Sequence, residues 1–101
     1  MKISQNIVAS ISNYFEDKPV KKVYIFGSQI TDQANEDSDI DILVELDYSQ
    51  PIGLKFLKMR HELQDILNKK VDLISDKAVS KYIRPIIDDN KYLIYEKYLW
   101  R

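Results

Sequence analysis

Two short runs of the chain carry residue types that can do chemistry together: Gly27-Ser28 and, after ten intervening residues, Asp39-Ile40-Asp41. Side chains alternate along an extended strand, so Asp39 and Asp41 project from one face, and both carboxylates can reach one pair of hard divalent cations. Mg²⁺ suits such oxygen donors. It takes only one or two carboxylates and completes its shell with water and substrate phosphates, so two aspartates on a strand imply a phosphate ligand rather than a closed protein cage. Gly27 allows close backbone approach, and Ser28 offers a hydroxyl and an N–H to phosphate oxygens. Taken singly, each of these residues is an ordinary turn or strand residue. The combination argues otherwise, because two carboxylates on one strand face, with Asp37 beside them, repel one another unless a cation neutralises them.

The flanking sequence supplies the elements that must hold these groups. Ile3, Ile7, Val8, Ile11, Tyr14 and Phe15 recur at helical spacing and predict a first amphipathic helix, broken at Asp17-Lys18-Pro19. Val20 and Val23-Tyr24-Ile25-Phe26 read as a buried strand that ends at Gly27, and the polar stretch from Ser28 to Asp37 reads as a loop. From Asp39 to Leu46 strict alternation sets Ile40, Ile42, Val44 and Leu46 on one face, which leaves the aspartates on the other. Phe56, Met59, Leu63, Ile66 and Leu67 mark a second helix, and Lys70 to Ile74 a third strand. Val79, Tyr82, Ile83, Ile86 and Ile87 return to helical spacing, but Pro85 disfavours helix at Arg84, which predicts a break or a fresh start there. A short strand or turn from Tyr92 to Glu96 follows. The expected architecture is one α/β (α+β) domain over residues 1–101, a small mixed β-sheet with helices packed on it.

The segments Phe26-Gly27-Ser28 and Ser38-Asp39-Ile40-Asp41-Ile42-Leu43-Val44, with their spacing, resemble the signature of the nucleotidyltransferase superfamily of the DNA polymerase beta type. The short length resembles its minimal nucleotidyltransferase branch, the antitoxins of HEPN/MNT pairs. The resemblance runs from about Val20 to Glu96. It implies the nucleotidyltransferase fold, two Mg²⁺ ions on Asp39 and Asp41, and a triphosphate, ATP by default, held by Gly27 and Ser28. It also implies a third acid on a later strand, for which Asp72 in Lys70-Val71-Asp72-Leu73-Ile74 is the match, as metal ligand or general base. The implied reaction is AMP transfer from ATP to a hydroxyl, a tyrosine of a partner HEPN toxin; the rival is a non-catalytic antitoxin that neutralises its partner by contact. Many members carry an arginine and a glycine in the loop after the serine, where this chain has Thr31 and Asp32. That departure removes a cation able to grip phosphate and leaves Lys21, Lys22 or a partner to supply positive charge.

Composition is consistent with this reading. An apolar fraction of 45% and a charged fraction of 31% fit a folded domain. Fifteen basic against sixteen acidic residues give a net charge of −1, with no general pull on polyanions, so no nucleic-acid partner is expected. The absence of cysteine excludes disulfides and thiolate metal sites, and no long apolar run suggests a membrane span or signal peptide, so the expected setting is cytoplasmic. His61, the only histidine, is read as a solvent or structural residue. Lys55, Lys58, Arg60, Lys69 and Lys70 are read as a solvated face. The aromatic tail Tyr92, Tyr95, Tyr98, Leu99 and Trp100 is open between capping the core and meeting a partner.

Overall fold

Ser4 begins the first helix because its hydroxyl accepts a hydrogen bond from the Ile7 N–H at 3.2 Å, satisfying one of the free donors of the first turn. The computed structural model describes residues 4–26, 39–49 and 51–97. Helix α1, Gln5–Phe15, sends Ile11 and Phe15 fully into the core and is stopped before Pro19, as the periodicity predicts. Strand β1, Val20–Phe26, then pairs antiparallel with β2, Ile40–Leu46, with an irregularity between Val20 and Lys22. Helix α2, Lys55–Leu67, ends where Asn68 takes a left-handed conformation at φ 53°, a common way to close a helix. The chain then turns directly into β3, Val71–Ser75, which lies parallel to β2.

A short 3-10 turn, Asp76–Ala78, leads to α3, Arg84–Asn90. Pro85 sits in its first turn, where a missing N–H costs nothing, so the proline opens a helix instead of interrupting one. Strand β4, Tyr92–Glu96, returns antiparallel to β1 and completes a mixed sheet of order β3-β2-β1-β4. This is the mixed sheet with packed helices that the sequence predicts. Among the described residues no helix is long and apolar enough to cross a membrane.

The main core lies between the sheet and helices α1 and α2. Ile40, Ile42, Val44 and Leu46 of β2 meet Val23 and Ile25 of β1, Val71 and Leu73 of β3, Ile11 and Phe15 of α1, and Met59 and Leu63 of α2. Phe15 is fully buried, so Phe15→Ala should destabilise the chain by about 3–5 kcal/mol, a large share of a small domain's stability. Urea denaturation checks this, and a loss below about 1 kcal/mol would contradict the packing.

Two expectations about burial need correction, and one burial was not anticipated. Ile66, read as part of the second helix's apolar stripe, is 52% exposed at its margin. Of the stripe from Val79 to Ile87, only Ile87 is buried, while Tyr82 and Ile86 are 80% and 64% exposed. The first part of that segment is turn rather than helix, and α3 has only seven residues, so no continuous stripe forms. Leu43 is fully buried although alternation sets it on the face opposite Ile42 and Val44, so the second face of the sheet is also covered there.

Candidate active site

The register of the sheet brings the sequence-predicted acids into one row. Phe26 at the end of β1 pairs with Asp41 near the start of β2, and Asp41 pairs with Asp72 near the start of β3. In-register neighbours project from the same side of a sheet with strands about 4.8 Å apart, so the two carboxylates stand side by side on the face away from the main core. The parallel β2–α2–β3 connection creates this arrangement, because it starts both strands at the same end. Asp39 stands one residue before β2, and its Oδ2 lies 3.9 Å from Lys70 Nζ at a half-exposed position. Gly27 and Ser28, with Thr31 and Asp32, lie outside the described residues.

Asp41 is partly buried beside two other acids, and its carboxyl responds. Desolvation, the Asp72 charge, a hydrogen bond with Asp72 and the charge of Asp39 together raise its pKa to about 6. Among the described residues no three His, Cys, Asp or Glu side chains are placed to hold a metal ion by themselves. Two adjacent hard-oxygen donors with a third acid at the margin instead suit a cation whose shell is completed by phosphate and water.

The sign of this effect on stability follows directly. The folded chain binds the Asp41 proton more tightly than the unfolded chain does, so its contribution is fullest below pH 4 and declines as pH rises towards 6. Ionised Asp41 then costs on the order of 1 kcal/mol after allowance for solvent screening. Asp72→Asn should therefore raise the melting temperature of the metal-free chain at pH 7.5 relative to wild type, with the difference shrinking towards pH 4. Thermal scans in EDTA check this, and a melting temperature lowered at pH 7.5 would show that the carboxylate pair is not strained.

Two sequence readings of the positive charge are corrected. Lys22 pairs with Glu45 across the sheet and forms an ion pair with Glu96 at 3.8 Å. It stands four residues from Phe26, about 13 Å along β1, so it cannot supply charge beside Asp41. Lys21 lines a separate hollow with Glu45, Asp47 and Asp76. Arg60, read as part of a solvated face, instead lines a pocket of about 340 Å³ with Phe26, Asp41, Asp72, Leu73 and Ile74. Its Nε is buried without a hydrogen-bond partner. A signal for this was available. At about 100° per residue Arg60 falls within 60° of Leu63, on the flank of the apolar stripe, whereas Lys58 and His61 fall on the far side. His61 is exposed, as expected.

Residues 9–98 match the family described as polymerase beta, nucleotidyltransferase. A Methanocaldococcus jannaschii protein named as a candidate protein adenylyltransferase is 43% identical over 81 residues, which span 79% of this chain and 80% of that protein. The crystal structure of a toxin-antitoxin with AMP-PNP superposes with a TM-score of 0.75 at 20% identity, over 89% of this chain and 73% of that one. A tri-AMPylated Shewanella oneidensis HEPN toxin in complex with MNT antitoxin gives a TM-score of 0.71 at 19% identity, over 92% and 72% of the two chains. With the family matched over residues 9–98, nearly the whole sequence, this chain belongs to the polymerase beta-type nucleotidyltransferases.

Proposed function

We infer that this nucleotidyltransferase transfers AMP from ATP to a hydroxyl of a partner protein, a tyrosine of a HEPN-type toxin, and so acts as its antitoxin. The observation that carries the chemical part is the Asp41–Asp72 pair in register on parallel strands, with Asp39 one residue ahead of β2. The protein part rests on similarity to proteins named as protein adenylyltransferases and to HEPN toxin complexes. A cytoplasmic setting, where ATP and Mg²⁺ are plentiful, suits this reading.

Asp39, Asp41 and Asp72 would hold two Mg²⁺ ions; their donor chemistry fits, since all three offer hard carboxylate oxygens and a cation would favour the ionised form of Asp41 that burial and the neighbouring acids disfavour. When bound, Mg²⁺ neutralises the triphosphate and favours departure of pyrophosphate. Gly27 and Ser28 would bind the triphosphate through backbone N–H groups and the hydroxyl, fixing the α-phosphate for in-line attack. Asp72, on the edge strand β3, would receive the hydroxyl proton. The test is to mix the purified chain with its genetically adjacent partner, ATP and Mg²⁺, and read both intact masses. Metal-dependent gain of AMP mass on the partner supports transfer. A stable complex with no mass change would favour the rival, inhibition by contact alone, for which the loop departures at Thr31 and Asp32 speak.

A further inference from the structure

The pocket beside the carboxylates holds a cation to which the reading above gives no role. Three of its walls are apolar, Phe26, Leu73 and Ile74, and Arg60 stands among them with a buried Nε that has no hydrogen-bond partner. Its side chain comes from α2, which lies against α1 and β3. Across the sheet the order is Phe26 at the end of β1, Asp41 on β2 and Asp72 on the edge strand β3, with Arg60 supplied by the helix that packs against that edge strand. A cation there stands at the Asp72 end of the row, beside the acid that would take the acceptor's proton.

We propose that Arg60, with Phe26 and Ile74, forms the acceptor subsite and selects a phenolic hydroxyl. This rests on the reading above that a hydroxyl attacks the α-phosphate. An aromatic ring fits apolar walls, and a guanidinium can stack on the ring or donate to its oxygen, which an ammonium does less well. The chemistry gives the selection a reason. A phenol ionises near pH 10, within reach of a neighbouring cation, whereas an aliphatic hydroxyl holds its proton far more tightly. In the step, the phenolic proton passes to the Asp72 carboxylate and the oxygen forms a bond to the α-phosphorus. The bond from that phosphorus to the bridging oxygen breaks, and pyrophosphate leaves with the electron pair. Arg60 holds the negative oxygen while its proton departs.

The experiment titrates the full chain, without nucleotide, with N-acetyl-L-tyrosinamide, N-acetyl-L-phenylalaninamide and N-acetyl-L-serinamide, and follows the Arg60 Nε–H and the Phe26 and Ile74 amides by NMR. The tyrosine probe should move all three signals, the phenylalanine probe should leave the Nε–H nearly still, and the serine probe should do little. Arg60→Met should weaken the tyrosine probe by about fivefold to tenfold, with Arg60→Lys in between. Mg²⁺·ATP affinity should stay within about twofold in both variants, because uncharged or shortened donors at the acceptor end leave the triphosphate side intact. Equal responses to the three probes would overturn the proposal, and so would a loss of Mg²⁺·ATP affinity with the phenol response unchanged, which would make Arg60 a phosphate ligand. If Arg60→Met does not fold, Arg60→Lys carries the same comparison. Because phenol binding is read apart from transfer, failure of the subsite and failure of AMP transfer give different results.

Discussion

Replacing both Asp39 and Asp41 by asparagine should abolish AMP transfer to the partner, by at least about a thousandfold, or roughly 4 kcal/mol of transition-state stabilisation. The amides keep the size of the side chains, so strand β2 and its core residues Ile40, Ile42, Val44 and Leu46 stay in place. What they lose is charge. A neutral amide oxygen is a much weaker ligand for Mg²⁺, and the burial of a charge and the repulsion from neighbouring acids, which together raise the Asp41 pKa, no longer apply. The double variant should therefore fold at least as well as wild type, co-purify with its partner and leave that partner unmodified. Intact mass and size-exclusion chromatography on one sample check both halves. Full neutralisation of the partner by the unreactive variant would move the function to contact alone.

Asp72→Asn should give the second-largest effect, a fall in transfer rate of about a hundredfold to ten-thousandfold, the range associated with loss of a positioned general base. Its character should differ from that of the double variant. Asp39 and Asp41 remain, so Mg²⁺·ATP should still bind, and the defect should fall on the chemical step more than on the nucleotide KM. Raising the pH should recover part of the rate, because a larger fraction of a phenolic acceptor is then already ionised and needs no base. Combined with the expected gain in metal-free stability, this would mark Asp72 as a residue kept for chemistry against the preference of the fold. A variant that loses nucleotide affinity in step with rate would make Asp72 chiefly a metal ligand.

Much of the fold could be read from the sequence, because periodicity and breakers agree with one another. Pro19 and Pro85 mark a helix stop and a helix start, and alternation in β2 predicts its core face correctly. The strand positions of the candidate acids could be read for the same reason, although Asp72 was singled out by family resemblance: Asp41 and Asp72 each sit second in an apolar strand, and pairing β2 with β3 in parallel sets them side by side. What periodicity could not show is long-range. Nothing local reveals that Leu43 is covered on the second face, or that Lys22 is held by Glu96 at the far end of β1. Arg60 was hidden by its company. It sits among lysines, and its meaning depends on lying at the edge of the apolar stripe beside an edge strand that carries an acid. The tail divides in a similar way. Ile94 and Tyr95 pack on the core while Tyr92 and Leu93 are half-exposed, and Tyr98, Leu99 and Trp100 lie outside the described residues.

The most direct test of the central claim, that these carboxylates bind a metal-nucleotide, is to titrate the ¹⁵N-labelled chain with Mn²⁺ and a non-hydrolysable ATP analogue and record paramagnetic broadening. The account predicts selective loss of the amide signals of Ile40, Asp41, Ile42, Val71, Asp72 and Leu73, much weaker in the Asp39→Asn/Asp41→Asn variant. Broadening centred elsewhere, or unchanged in the variant, would contradict it.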